Sequence, residues 1–132
     1  MSALIEEFKK EHSEIIEALK EVEELGILTK EGHDKLMFLI AGLLNHLWNE
    51  DQWLYPMLRK ASENNKKLKE ILSFFINGLG GIHEEMLNFI TKYSKGVKGN
   101  NFQRDYERLF GALGKRIEYE ENILYDEYNM LY

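Results

Sequence analysis

Apolar residues recur at three- and four-residue steps along most of the chain, and the stripes they draw predict four amphipathic helices. The first stripe is Ile5, Phe8, Ile15, Leu19 and Val22, with Ser2 placed to cap it and Gly26 to end or follow it. Thr29 opens a second helix that turns Leu36, Leu39, Leu43, Trp53 and Met57 to one face, and Pro56 predicts a kink near its end without a stop. The polar stretch 62–67 reads as a turn, after which Leu72, Phe75, Leu79, Met86 and Ile90 line a third helix. Residues 95–101 form a loop, and Asn100 with Gln103 has the spacing of a capping box. The last helix faces Tyr106, Leu109, Leu113, Ile117, Leu124 and Leu131 inward. Short turns between long amphipathic helices predict an all-α fold: an up-down-up-down antiparallel four-helix bundle, one domain over residues 1–132.

The two halves of the chain repeat one another. LWNEDQWLY, residues 47–55, lies over IEYEENILY, residues 117–125, so that Glu50 matches Glu120, Leu54 matches Leu124 and Tyr55 matches Tyr125. Ala41–Gly42 likewise matches Gly111–Ala112, and His12 in EHSEII is comparable with His83 in IHEEML. The bundle is thus expected to be a helical hairpin used twice, with a site between the hairpins. His46 breaks the pattern, because its partner in the second half is Arg116.

Polar residues interrupt the apolar stripes at matching depths. His12, His46, Glu50, His83 and Glu120 each fall on the inward face of their own helix. Counted from the turns at a rise of about 1.5 Å per residue, they agree in level to about two helical turns. His46 and Glu50, at i and i+4, point the same way. Any one of them alone reads as an ordinary semi-buried residue. Together they read as a metal site, because two carboxylates buried without a cation cost several kcal/mol. Imidazole and carboxylate without thiolate suit iron, manganese or zinc, and carboxylate-rich bundle cores are typical of di-iron and di-manganese proteins.

Composition narrows the alternatives. The net charge of −6 and the lack of a basic face exclude nucleic acid as a partner. With no cysteine there are no disulfides, thiolate zinc sites or cysteine-held clusters. The longest apolar run, Leu36 to Leu44, is too short to span a bilayer, and no secretory signal opens the chain, so a cytoplasmic protein with no membrane partner is expected. His33 and Trp48 read as surface residues, and Trp53, Tyr55, Tyr119 and Tyr125 as core or rim. Gly78, Gly80 and Gly81 before His83 are costly in a helix, at about 1 kcal/mol each against alanine. They predict a local break, a close helix contact, or room for a small ligand beside the metal.

The succession of His12, His46-Leu-Trp-Asn-Glu50 running into LYPML, His83, and Arg116-Ile-Glu-Tyr-Glu120 running into LY resembles the hemerythrin-like, or HHE cation-binding, family over essentially the whole chain. The resemblance implies a non-haem di-iron centre with the two glutamates bridging the irons. It also marks a departure: Arg116 stands where the family has its fourth-helix histidine, and Leu87 where oxygen carriers have a second histidine after His83. Arginine does not ligate metals at ordinary pH. Two irons are expected from the family, and one is the alternative that Arg116 creates. The second iron would bind weakly, be absent, or draw a ligand from Tyr119, Glu118 or Glu121. Arg116 could also pair with Glu50 or Glu120 in place of a metal.

The leading functional expectation is an iron protein that binds or senses dioxygen, nitric oxide or peroxide. A redox enzyme on the same irons (a ferroxidase, peroxidase or nitric oxide reductase) is the second reading. A metal-free bundle that binds a protein partner is the third. Reversible oxygen carriage is not expected, because too few histidines are present.

Overall fold

A computed structural model describes residues 2–97 and 99–132, with the side chains of residues 79 and 80 left aside. The inward placement expected for Leu79, and any role of Gly80, therefore lie outside the described residues. The elements are α1 (Ala3–Leu25), α2 (Lys30–Asn49), a first π turn (Glu50–Leu54), α3 (Tyr55–Ser62), α4 (Lys66–Tyr93), α5 (Phe102–Tyr119), a second π turn (Glu120–Leu124) and α6 (Tyr125–Leu131). Each π turn joins its flanking helices without a break, so the described residues form four helical stretches packed as a bundle. α1 packs on α2, α3 on α4, and α4 on both α5 and α2. Among the described residues no helix is long and apolar enough to cross a membrane.

Local chemistry sets the boundaries. Ser2 Oγ accepts from the Ile5 N–H at 3.1 Å and Thr29 Oγ1 from the Gly32 N–H at 3.0 Å, as expected of caps. Gly26 closes α1 at φ 75°, in the left-handed region, and a Cβ at Gly32 would collide with its carbonyl. Asn65 caps α4 through a bond from the Leu68 N–H at 3.1 Å, so the turn after α3 is shorter than 62–67. The capping box at Asn100 is not formed. Asn101 holds the cap position without a side-chain bond, and Gln103 donates to Glu107 at 3.1 Å instead.

Three positions of the inward face differ from the sequence expectation for one reason. In the second stretch Trp53 is 57% exposed and Met57 lies at the surface, while Leu54 and Leu58 are fully buried. The π turn inserts one residue, with the Tyr55 N–H bonding the Glu50 carbonyl five residues back, and so advances the buried face by one position. The second π turn does the same. Tyr125 and Tyr128 are buried, and Leu131 is exposed. Pro56 is not the cause, because the second π turn forms with Asp126 in the matching place. The glycine-rich part of α4 runs on as regular helix, and a Cβ at Gly78 or Gly81 would meet nothing closer than 3.8 Å. Neither a break nor a close helix contact explains those two glycines.

The buried apolar residues fall into two clusters. One gathers Ile15, Leu19, Leu43, Met86 and Leu113 with their neighbours; the other gathers Ile5, Phe8, Leu54, Phe75, Leu124 and Tyr125. Along α1, His12 separates Phe8 from Ile15. Along the α5 stretch, Arg116 and Glu120 separate Leu113 from Leu124. A polar layer therefore cuts the core.

Candidate metal centre

Four of the five expected ligands meet in that layer. His12 from the middle of α1, His46 from the last turn of α2, and Glu50 and Glu120 from the first positions of the two π turns are all buried. Each offers one nitrogen or oxygen, and these atoms lie within 4.8 Å of one another. His83 is half-buried and outside this group. Its Nδ1 accepts from Arg116 Nη1 at 3.4 Å.

The histidines are aimed from behind. His12 Nδ1 lies 2.7 Å from Glu121 Oε2, and His46 Nδ1 lies 2.6 Å from Glu11 Oε1. A carboxylate at Nδ1 accepts from the ring N–H there, which holds the proton on Nδ1 and leaves Nε2 with a bare lone pair, the arrangement seen behind metal-ligating histidines. His12 Nε2 then faces Glu120 Oε1 at 3.3 Å, and His46 Nε2 faces Glu50 Oε1 at 3.4 Å. Lone pairs facing carboxylate oxygens repel unless a cation lies between them. His46 Nε2 is buried with no hydrogen-bond partner among the described residues. The donor set thus fits one cation held by two imidazoles and two carboxylates.

Two tyrosines complete the layer. Tyr55, which follows the first π turn, donates to Glu120 Oε2 at 2.7 Å. Tyr125, which follows the second, donates to Glu50 Oε2 at 3.3 Å and lies 3.1 Å from His12 Nε2. Each tyrosine supports the glutamate of the other turn. Burial first, and then the charges of Glu120 and Glu50, push both phenols well above their ordinary range, so they stay donors. The repeat in the sequence carried both residues, but a glutamate and a tyrosine five positions apart do not share a face of an α-helix. Only the π turn aligns them.

Arg116 joins the glutamates to His83. Its Nη2 donates to Glu50 Oε1 at 3.3 Å, its Nε lies 3.7 Å from Glu120 Oε2, and its Cζ sits 5.3 Å above the Phe75 ring. Burial alone would lower the guanidinium, but Glu120, Tyr55 and Glu50 outweigh it and hold the charge more firmly than usual. Burial and then the nearby Glu120 carboxylate raise Glu50 well above the carboxylate range. Glu120 is also penalised by burial. A bond from Glu50 and the charge of Arg116 more than offset this and hold Glu120 below the ordinary carboxylate range. The two carboxylates therefore titrate as a pair, with Glu50 raised and Glu120 lowered. His83 is lowered by burial and then by Arg116.

The remaining candidates lie elsewhere. Tyr119 donates to the Ile71 carbonyl at 3.2 Å and stacks on Phe75, so it does not reach the donors. Glu118 is exposed, and Glu121 supports His12 from behind. His33 is half-buried near the start of α2, where a Cβ at Gly96 would meet its Nε2 at 3.3 Å. Trp48 is exposed, as expected. Glu11, beside His12 in the sequence, gave no periodic signal of its role, because it reaches across to another helix. A cavity of about 10 Å³ adjoins the donors, with room for about one water-sized molecule. Apart from the polar residues of the layer it is walled by Ile15, Leu43, Leu47, Met86, Leu113 and Ile117.

The family model of the hemerythrin HHE cation binding domain matches residues 3–128. Neither a curated protein nor a solved structure matches the chain.

Proposed function

We propose that this chain, which belongs to the hemerythrin HHE cation-binding domain family, holds non-haem iron through His12, His46, Glu50 and Glu120 and uses it to bind or sense dioxygen, nitric oxide or peroxide. One observation carries the reading: two buried histidine nitrogens, oriented from behind by Glu121 and Glu11, face two buried glutamates with no proton assigned between them. Iron bound there would supply redox change and affinity for small oxygen and nitrogen ligands.

The protein's own residues prepare the place. Glu11 and Glu121 fix the ring orientations and turn the Nε2 atoms toward the glutamates. Tyr55 and Tyr125 each hold one glutamate oxygen, which leaves the other free to point at the histidines. The cavity beside His12 and His46 has room for about one water-sized molecule, and its aliphatic walls would keep bulk water from the metal. In the same reading the two hairpins run up-down-up-down as a single domain, with the π turns facing each other across the site.

Iron content by mass spectrometry on protein expressed with added iron, paired with optical spectra taken anaerobically and after dioxygen, nitric oxide or peroxide, tests this. Iron retained by the wild type and lost from His46→Ala, with a spectrum that responds to at least one of these ligands, is expected. Iron-loaded protein indifferent to all three would overturn the sensing role. A folded wild type that takes up no metal would overturn the site.

A further inference from the structure

We infer that the Arg116 guanidinium permanently occupies the place of a second cation, so that the centre takes one metal ion per chain. The inference rests on the reading of His12, His46, Glu50 and Glu120 as ligands. The internal repeat shows where a second ion would be served: His46 and Glu50 in one half correspond to Arg116 and Glu120 in the other, at the same i, i+4 spacing. At that corresponding place the structure puts a positive charge instead of a ligand, against Glu50 at 3.3 Å and Glu120 at 3.7 Å.

Three features keep it there. The guanidinium cannot shed its proton to make room for a dication. It is 3% exposed and lies over Phe75, so swinging out would forfeit a buried packing site and leave the glutamates unpaired. His83, the one expected ligand left for a second ion, already accepts from Arg116 Nη1. A fixed cation of this kind also makes the metal-free protein self-sufficient, since it sets a positive charge against both buried glutamates.

Metal counting on the full chain with ferrous iron under anaerobic conditions, for wild type, Arg116→His and His46→Ala, tests the inference. One iron in the wild type and two in R116H are expected, because the substitution restores the repeat. Two irons in the wild type would overturn the inference and leave the metal site standing. One iron in both proteins would also overturn it, since Arg116 would then not be what excludes the second ion. No iron in either would overturn the metal site itself. If R116H fails to fold, anomalous scattering from iron-loaded wild-type crystals decides. A single peak between His12 and His46, with Arg116 in its place, supports the inference, and two peaks overturn it. The metal-free proteins give a further readout: Arg116→Leu should melt well below the wild type, and equal midpoints would count against a neutralising role.

Discussion

At the residue scale the chemistry turns on which atom carries each proton. Glu50 is raised above the ordinary carboxylate value of 4.5 by burial and then by Glu120, so its neutral form favours the fold. That contribution is fully present below about pH 4.5 and is lost as pH rises through the folded-state value. Glu50→Gln, which copies the protonated form, removes this loss. The metal-free wild type should therefore lose stability relative to E50Q as pH rises from about 4.5 toward 8. Urea denaturation in the presence of chelator measures the difference, and a flat difference across that range would contradict the upward shift of Glu50. Metal must displace the same proton, so affinity should rise over the same window. Glu11→Ala removes the carboxylate behind His46 without touching the donors. It should weaken metal binding by about 10- to 100-fold, read by competition with a chelator. These residues differed in legibility. His12, His46, Glu50 and Glu120 stood out as polar breaks in apolar stripes, whereas Glu11 lies among surface glutamates and acts across an interhelical gap.

At the element scale the two π turns decide the register. A straight α-helix through residues 46–58 would bury Trp53 and Met57, and the inserted residue buries Leu54 and Leu58 instead. Truncation separates the two registers. Leu54→Ala should cost about 2–5 kcal/mol of unfolding free energy, in the range of fully buried leucines. Trp53→Ala should cost about 0.5 kcal/mol or less, as an exposed substitution does. Chemical denaturation measures both, and the reverse order would mean that the turn is α-helical. The same turns place Tyr55 and Tyr125 on the face of the glutamates five residues earlier in sequence, so that each donates to the glutamate of the opposite turn. Hydrophobic periodicity does not reveal such a turn, because one added residue leaves the apolar stripe continuous to either side.

Across the whole molecule the core is two apolar clusters with a polar layer between them. Each cluster holds leucines and aromatics from several stretches, so the helices pack above and below the site whether or not a metal is present. Metal removal is therefore expected to leave the far-ultraviolet circular dichroism unchanged while lowering the melting temperature. Free metal at a hundred times its dissociation constant stabilises the native state by about 2.7 kcal/mol. A thermal midpoint insensitive to added iron would argue that nothing binds the native layer. Collapse of the helical signal on chelation would argue that Arg116 does not stand in for the lost charge.

The sequence alone determined the helices, their caps at Ser2 and Thr29, and the candidate ligands, because these are written in local periodicity and in polar residues where apolar ones belong. It also exposed Arg116 as the break in the repeat. Only the tertiary structure decided that His12, His46, Glu50 and Glu120 converge while His83 lies beyond the Arg116 guanidinium. Convergence depends on the register and packing of separate helices, and the π turns adjust that register without a mark in the hydrophobic pattern. The partners of Arg116 were likewise open in the sequence, since a long side chain can reach several neighbours. Packing over Phe75 and contact with both glutamates leave it one place to be.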